Sequence, residues 1–217
     1  MNNDMKNNVF FVSGIDTGVG KSYATGYIAK VWNSLGKKTI TQKFIQTGND
    51  DVSEDIEVHR QIMGTGFLPE DDAKLTMPEI FSYPCSPHLA AEIDGREIDF
   101  VKIEKATQEL SEKFDAVLLE GAGGLMVPLT RDFLTIDYIA KSGYPLILVT
   151  SGKLGSINHT LLSLEVVKSR GISLKSLVFN EYPVLEDKTI ADDTLAYLKD
   201  YIAREFPGTE FIVVPQL

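Results

Sequence analysis

The chain has 217 residues, of which 43% are hydrophobic, and this is enough for one sizeable core, so we expect a single domain over residues 1–217. The formal net charge of -10 argues against nucleic-acid partners, because proteins that bind nucleic-acid backbones usually carry a basic face. The single cysteine, a polar start without a secretory signal and the lack of any apolar run of roughly 18 residues favour a cytoplasmic protein without a membrane partner.

Apolar, strand-like runs alternate with helical stretches along the chain. The strand-like runs are Val9–Ser13, Thr39–Lys43, Ala116–Leu119, Tyr144–Thr150, Leu177–Phe179 and Glu210–Val214. The helical stretches are roughly Lys21–Leu35, Phe100–Lys113, Leu134–Lys141, Ile157–Ser169 and Ile190–Arg204, with Asp99 and Ser156 as candidate N-caps. The region Asn49–Tyr83 is less regular, and we expect loops there that shape a site. Consecutive apolar residues are typical of strands buried on both faces, so the pattern predicts an α/β fold with a mainly parallel sheet of about seven strands and helices on both faces.

The first strand leads into GIDTGVGKS, Gly14–Ser22, which is a candidate phosphate-binding loop of unusual length. The common pattern places four residues between the first glycine and Gly-Lys-Ser/Thr, whereas five stand here. Glycines allow backbone N–H groups to approach phosphate oxygens, and the helix that follows adds its positive end. Lys21 can reach the outer phosphates, and the Ser22 hydroxyl suits Mg²⁺. A glycine-rich turn with a helix cap is the alternative, but Gly-Lys-Ser directly after a strand favours a P-loop NTPase-like fold.

Polar residues also follow the second and third strands. Lys43 ends the second run, and Thr47 and Asp55 come soon after it. The third run ends on Glu120, where P-loop enzymes place an acid that holds or orients Mg²⁺. Each residue alone is also compatible with a solvated surface or a turn. Because ligands bind beyond the carboxyl ends of parallel strands, their shared placement predicts one site at that edge.

The last two strand ends leave alternatives open. Gly152 and Gly155 turn the chain into a helix whose first N–H groups could hold a carboxylate, although simple capping by Ser156 explains these residues equally well. Asn180 follows the fifth run and can both donate to and accept from the edge of a base, although alone it is a typical turn residue.

The combination of motifs resembles the dethiobiotin synthetase family. GIDTGVGKS resembles the family loop G-[TI]-D-T-x-V-G-K-[TS], which has the same extra residue, and KFIQTG, SPH, EGAGG, KLGSINH and VFNE follow in the family's order. The resemblance implies an ATP- and Mg²⁺-dependent ligase of biotin biosynthesis, which carboxylates 7,8-diaminononanoate with CO₂ and closes the ring. The implied intermediates are a carbamate and a carbamic–phosphoric anhydride, and the products are dethiobiotin, ADP and phosphate.

The resemblance also implies roles for individual residues. The implied catalytic residues are Lys43, Lys21 and Thr17, and the implied Mg²⁺ ligands are Ser22, Asp55 and Glu120. The implied nucleotide-binding residues are Gly18, Val19, Gly20, Lys21, Ser22, Tyr23, Asp55, Glu120, Gly121, Ala122, Gly123, Asn180, Glu181, Pro215, Gln216 and Leu217. The implied substrate-binding residues are Thr17, Lys43, Thr47, Leu154, Gly155, Ser156, Ile157 and Asn158. Leu154–Asn158 match a segment that receives the substrate carboxylate from the neighbouring subunit, which implies a homodimer.

Two departures from the family pattern affect these expectations. Gly18 stands where many relatives carry Glu, so a side-chain contact is lost. The sequence given ends at VVPQL, whereas many relatives continue with another helix, and we therefore expect ATP to be held more loosely at its base.

Three other functions are alternatives to this one. A cofactor-amidating ligase usually carries a second, glutamine-hydrolysing domain, for which the chain has no length. A partition-type ATPase carries a signature lysine early in the loop, and no lysine precedes Lys21 in Gly14–Gly20. A nucleotide-binding regulator would turn over ATP without responding to the diamine.

Overall fold

The computed structural model describes residues 8–182 and 187–216. Within them the strands are β1 Val9–Gly14, β2 Thr39–Lys43, β3 Gln46–Thr47, β4 Ile80–Phe81, β5 Ala116–Gly124, β6 Pro128–Thr130, β7 Phe133–Leu134, β8 Leu146–Ser151, β9 Leu174–Asn180 and β10 Glu210–Val214. The helices are α1 Lys21–Ser34, α2 Glu54–Met63, α3 Pro69–Asp72, α4 Pro87–Ile93, α5 Phe100–Lys113, α6 Thr135–Ser142, α7 Ser156–Ser169 and α8 Lys188–Glu205.

The central sheet contains six parallel strands in the order β10-β9-β8-β1-β5-β2. All six predicted strand-like runs form these strands, which confirms the predicted α/β fold. β1 lies in the middle, with β5 and then β2 on one side, so the carboxyl ends of these three strands meet at one edge. Two further pairs, parallel β3–β4 and antiparallel β6–β7, lie outside this sheet.

Alternate side chains of each strand pack into two separate apolar layers, as pleated strands buried on both faces require. In β1, Phe10 and Val12 pack with Ile28 of α1 in one layer. Phe11 packs in the other layer, which takes Leu110 from α5 and apolar side chains from α4, α6, α7 and α8. This confirms the expectation of helices on both faces. None of the helices in the described ranges is both long and apolar enough to cross a membrane.

Two expectations about local structure were wrong. The region Asn49–Tyr83 is not merely irregular, because it contains the ten-residue helix α2, which Ser53 caps by accepting from the Ile56 N–H at 3.2 Å. Ser156 is not the cap of α7 but its first residue, since Gly155 holds the N-cap position with φ of 94°. The predicted cap Asp99 is confirmed, as its side chain accepts from the Lys102 N–H at 2.9 Å.

A buried ion pair fixes α2 to the sheet. Arg60 of α2 donates to both carboxylate oxygens of Asp71 at 2.8 Å and to the Thr41 hydroxyl at 2.8 Å, and Thr76 donates to Asp71 at 2.6 Å. Burial would raise the pKa of Asp71, but the hydrogen bonds from Arg60 and Thr76 together with the Arg60 charge lower that pKa below its usual value. The stabilisation from this ion pair therefore requires both the Arg60 guanidinium and the ionised Asp71 carboxylate.

We predict that Arg60→Met lowers the free energy of unfolding by about 3–5 kcal/mol, because it leaves the Asp71 carboxylate buried without its partner. The lowered native pKa means that the wild-type contribution is complete above the ordinary aspartate pKa of about 3.9 and is lost as the pH falls through the lowered value. The difference in the free energy of unfolding between the wild type and Arg60→Met should therefore become smaller in acid. Urea unfolding at several pH values measures it.

Lys113→Met is the matched control, because Lys113 pairs with Glu109 on the exposed surface of α5 at 2.7 Å. Its free energy of unfolding should stay close to that of the wild type. Equal losses in the two variants would contradict the importance of the buried pair.

Candidate active site

One cleft of about 340 Å³ opens where β1, β5 and β2 end. The residues predicted from the sequence that line it are Thr17, Gly18, Gly20, Lys21, Ser22, Lys43, Thr47, Asp55, Glu120, Ala122 and Gly123. Ile45 and Gln46 complete the lining. Most of the implied phosphate, metal and catalytic residues therefore lie together, although they come from four separate segments of the chain.

The glycine-rich loop between β1 and α1 has the geometry of an anion-binding loop. Gly20 has φ of 83° and precedes the first residue of α1, so the amino end of this helix points at the cleft. The Lys21 ammonium donates to the carbonyl of Asp16 at 3.2 Å and so lies back over the loop. Backbone amides, a helix terminus and an ammonium group converge here, which suits phosphate oxygens.

Two carboxylates and a hydroxyl meet beside this loop. The Ser22 Oγ lies 2.5 Å from Asp55 Oδ1 and 3.0 Å from Glu120 Oε1. The Lys43 Nζ lies 2.9 Å from Glu120 Oε1, forms an ion pair with Asp55 and donates to the carbonyl of Gly121 at 3.3 Å. Lys43 thus neutralises charge between the two carboxylates.

The oxygens of Ser22, Asp55 and Glu120 fit Mg²⁺ that is bound together with phosphate. Mg²⁺ prefers hard oxygen ligands and is usually held by one or two carboxylates, with substrate phosphates and waters completing its shell. In the described part of the chain, no group of three or more His, Cys, Asp or Glu side chains is arranged to hold a metal ion. With two carboxylates and one hydroxyl, the donor set fits a cation that phosphate oxygens and waters also ligate.

Burial and ion pairing set the charges in the cleft. Burial would raise the pKa of Glu120, but Lys43 first and then His59 hold that pKa well below its usual value. Burial would lower the pKa of Lys43, but Glu120 and Asp55 raise it. Lys21 differs, because burial outweighs the attraction of Glu120 and lowers its pKa. Glu120 is consequently a carboxylate and Lys43 an ammonium at neutral pH.

A second group of predicted residues lies where β9 and β10 end. The Tyr23 ring stacks on Tyr182 with 4.3 Å between centroids, and its hydroxyl donates to the carbonyl of Pro215 at 3.3 Å. Glu181 and Gln216 line an adjacent cavity of about 210 Å³. Leu217 lies outside the described residues.

Asn180 connects this second group to the phosphate loop. Its Nδ2 donates to the carbonyls of Val19 at 3.1 Å and Tyr182 at 2.7 Å, and its Oδ1 accepts from the Tyr182 N–H at 3.2 Å. Both amide hydrogens are thus engaged within the chain. A Cβ on Gly20 would stand 2.0 Å from the same Nδ2, so Asn180 packs directly against the loop.

The third group of predicted residues does not line the cleft. Leu154, Gly155, Ile157 and Asn158 line a different cavity of about 610 Å³, which lies between the start of α7 and α8. Ser156 is buried, with its Oγ 3.2 Å from that of Ser151. Within one chain, the structure therefore separates this segment from the phosphate loop.

One residue of the site went unnoticed in the sequence. His59 is fully buried, and its Nε2 lies 2.8 Å from Glu120 Oε2. Its position four residues after Asp55 places both side chains on one face of α2, which is the signal that would have found it. That signal could be read only if α2 had been predicted as a helix.

Comparisons with known proteins agree with the geometry. The family described as an AAA domain matches residues 8–206. An ATP-dependent dethiobiotin synthetase of Pasteurella multocida is 50% identical over 206 residues, which covers 95% of this chain and 96% of the relative. An enzyme of the same name from Haemophilus ducreyi is 52% identical over 206 residues, with coverage of 95% and 97%.

Two solved structures are similar in fold. A ParA family ATPase from Chlorobium tepidum aligns with a TM-score of 0.53 at 13% identity, over 97% of this chain and 85% of that one. A ParA protein bound to nonspecific DNA aligns with a TM-score of 0.55 at 12% identity, over 97% and 86%. At these identities the likeness concerns the fold alone.

We predict that Gly20→Ala destabilises the protein more than Gly36→Ala does. The two glycines have nearly the same φ, 83° and 84°, so an alanine at either position carries the same left-handed backbone cost of roughly 1–2 kcal/mol. A Cβ at Gly36 meets nothing within 4 Å, whereas one at Gly20 displaces the Asn180 amide. Breaking its hydrogen bonds should add about 1–3 kcal/mol. Urea unfolding of both variants measures the difference, and equal losses would show that Asn180 does not brace the loop.

Proposed function

The chain belongs to the dethiobiotin synthetase family, and we propose that the cleft between β1, β5 and β2 is where it closes the ring of its substrate. The protein is an ATP-dependent ligase that forms dethiobiotin in biotin biosynthesis, and its substrates are ATP and small molecules. Identity of 50% or more over 95% of the chain, with relatives of nearly the same length, carries this conclusion.

We propose that the reaction has three steps. One amine of 7,8-diaminononanoate adds to CO₂ and gives a carbamate. A carbamate oxygen then attacks the γ-phosphorus of ATP, which releases ADP and leaves a carbamic–phosphoric anhydride. The second amine attacks the carbonyl carbon, phosphate leaves with the electron pair of the broken C–O bond, and a cyclic urea forms.

Phosphoryl transfer of this kind depends chiefly on positioning and charge neutralisation, and we assign the cleft residues accordingly. Lys21 and the amides of Gly18–Gly20 hold the transferred phosphoryl group. The Lys43 ammonium, which is kept protonated by two carboxylates, neutralises the carbamate and the phosphoryl oxygens. Thr17 and Thr47 line the same cleft and contact the diamine or its carbamate.

We further propose that Ser22, Asp55 and Glu120 hold the Mg²⁺ ion. Asp55 Oδ1 and Glu120 Oε1 both lie within hydrogen-bond distance of Ser22 Oγ, beside the loop proposed to receive the phosphates. When bound, Mg²⁺ neutralises charge on the phosphate oxygens. The chain's own contribution is to place both carboxylates next to the Ser22 hydroxyl and, at Glu120, to hold the pKa well below its usual value.

The base of ATP is assigned to the second group of residues. Tyr23, Asn180, Glu181, Pro215 and Gln216 surround the ends of β9 and β10, next to the phosphate loop. Both Asn180 amide hydrogens already bond to carbonyls of the chain. A base can therefore accept a hydrogen bond from Asn180 only if the bond to the Val19 or the Tyr182 carbonyl is broken. Gly121, Ala122 and Gly123 lie on the phosphate side, at the end of β5.

A homodimer is part of the proposal. Leu154–Asn158 lie away from the cleft of their own chain, and the exposed fraction of Leu154 is 86%. We assign this segment to the substrate carboxylate in the cleft of a partner subunit, where the amino end of α7 would favour a negative charge. A cytoplasmic location, where ATP is available, belongs to the same proposal.

The first experiment measures ADP release with Mg²⁺, ATP and bicarbonate, with and without 7,8-diaminononanoate. We expect release to depend on the diamine, and mass spectrometry should detect a cyclic urea formed in equal amount to ADP. ADP release that ignores the diamine would contradict the proposal and favour a nucleotide-driven switch of the partition type.

We predict that Lys43→Gln lowers kcat by about 10²–10³-fold while ATP affinity changes little, because the variant keeps a polar side chain but removes a preorganised charge. Steady-state kinetics and ATP titration measure the two effects. Lys113→Gln, on the exposed surface of α5, is the control and should retain wild-type kcat. An unchanged kcat in Lys43→Gln would remove Lys43 from the mechanism.

A further inference from the structure

His59 contacts the Glu120 carboxylate on the oxygen that the cleft residues do not use. Ser22 and Lys43 both approach Glu120 Oε1, at 3.0 and 2.9 Å. The His59 Nε2 lies 2.8 Å from Oε2. Both His59 and Glu120 have no exposed side-chain area, so water cannot substitute for either contact. The two carboxylate oxygens therefore have separate sets of partners.

The hydrogen-bonding pattern determines which atom carries the imidazole proton. Glu120 is ionised and can only accept, so the hydrogen of this contact belongs to the His59 Nε2. The Nδ1 atom is buried and has no hydrogen-bond partner among the described residues. The contact is therefore an N–H···O bond from the His59 Nε2 to the Glu120 Oε2.

The backbone around His59 holds the ring in this place. The Ser53 cap fixes the start of α2, and the Arg60–Asp71 pair ties the next residue of the helix to its surroundings. α2 also approaches α1 closely at Gly26, where an added Cβ would lie 3.2 Å from the His59 Cα. These contacts fix the backbone from which the His59 side chain reaches Glu120, so the ring offers its N–H from a defined side of the carboxylate.

We propose that His59 is a positioning residue that anchors Glu120 through Oε2 and thereby presents Oε1 to the metal-binding side of the cleft. The inference rests on the proposed role of Glu120 in holding Mg²⁺. Without the anchor, a buried carboxylate can turn both oxygens toward Lys43 and Ser22, and it then has no fixed orientation toward a cation. Partners of this kind, which orient a ligand without touching the metal, typically contribute about 10- to 100-fold to metal affinity or activity.

The test uses three substitutions of His59 that differ in the reach of their donor. His59→Gln places an amide N–H near the position of Nε2 and should restore the anchor. His59→Met fills a similar volume without a donor, and His59→Asn has a donor that is too short to reach Glu120. The readout is the dissociation constant of Mn²⁺ in the presence of ADP, measured by electron paramagnetic resonance on the full chain.

We expect Mn²⁺ affinity to fall by about 10- to 100-fold in His59→Met and His59→Asn and to stay close to the wild-type value in His59→Gln. In the ADP-release assay, the Mg²⁺ concentration needed for half activation should rise in the same order, whereas kcat at saturating Mg²⁺ changes much less. Two controls identify any variant that has lost its fold. They are the affinity for ADP in the absence of metal and the urea concentration at the midpoint of unfolding. Because two variants lack a donor that reaches Glu120, the test still works if one of them fails to fold.

Wild-type Mn²⁺ affinity in both His59→Met and His59→Asn would overturn the positioning role. Equal weakening in His59→Gln and His59→Met would also overturn it, because the donor would then have no part in the effect. A wild-type protein that binds ADP but no Mn²⁺ would instead overturn the proposed metal site itself. The two failures are therefore distinguishable.

Discussion

The site is organised around one buried negative charge, the carboxylate of Glu120 at the end of the apolar part of β5. A carboxylate with no exposed area is very costly unless it is paired and hydrogen-bonded. Its partners come from three other elements: Lys43 from β2, Ser22 from α1 and His59 from α2. The charge therefore imposes an arrangement on the loop, the neighbouring strand and the helix, and the strand order β1-β5-β2 makes that arrangement possible.

The fold and the individual residues make different contributions to the site. The fold brings the strand ends together, and the residues at those ends supply the charges. The two ParA structures share the fold at TM-scores of 0.55 and 0.53, with identities of only 12% and 13%. A common fold does not determine the reaction, which depends on the groups placed at the strand ends. Here the loop has no lysine between Gly14 and Gly20, and a second buried lysine, Lys43, stands opposite the loop instead.

The sheet could be predicted because its strands are continuous apolar runs, and the cleft because parallel strands place their carboxyl ends at one edge. Prediction failed where structure depends on tertiary contacts. β5 continues through the glycines to Gly124 because β1 pairs with it there, although the sequence alone suggests a turn. The two-residue strands β3 and β4 exist only because they pair with each other. The helix α2 was missed because few of its residues are apolar.

His59 shows why part of the site was beyond sequence reasoning. A lone histidine in a polar segment has no distinguishing pattern, and its meaning depends on which face of α2 turns inward. That face is set by Ile56 in the core and by the buried Arg60–Asp71 pair. Asp55 and His59 then reach the same cluster from one helix, so α2 supplies both a candidate metal ligand and the anchor of another.

Asn180 connects the two parts of the proposed nucleotide site through its hydrogen bonds. Its amide holds the Val19 carbonyl in the phosphate loop and the Tyr182 carbonyl beside the stacked Tyr23 ring. The space that it occupies excludes a Cβ at Gly20, so the glycine before Lys21 serves packing as well as backbone conformation. A base that exchanges a hydrogen bond with Asn180 must therefore alter the support of the phosphate loop. If the base of ATP binds Asn180 as we propose, recognition of the base and placement of the phosphates are coupled through this one side chain.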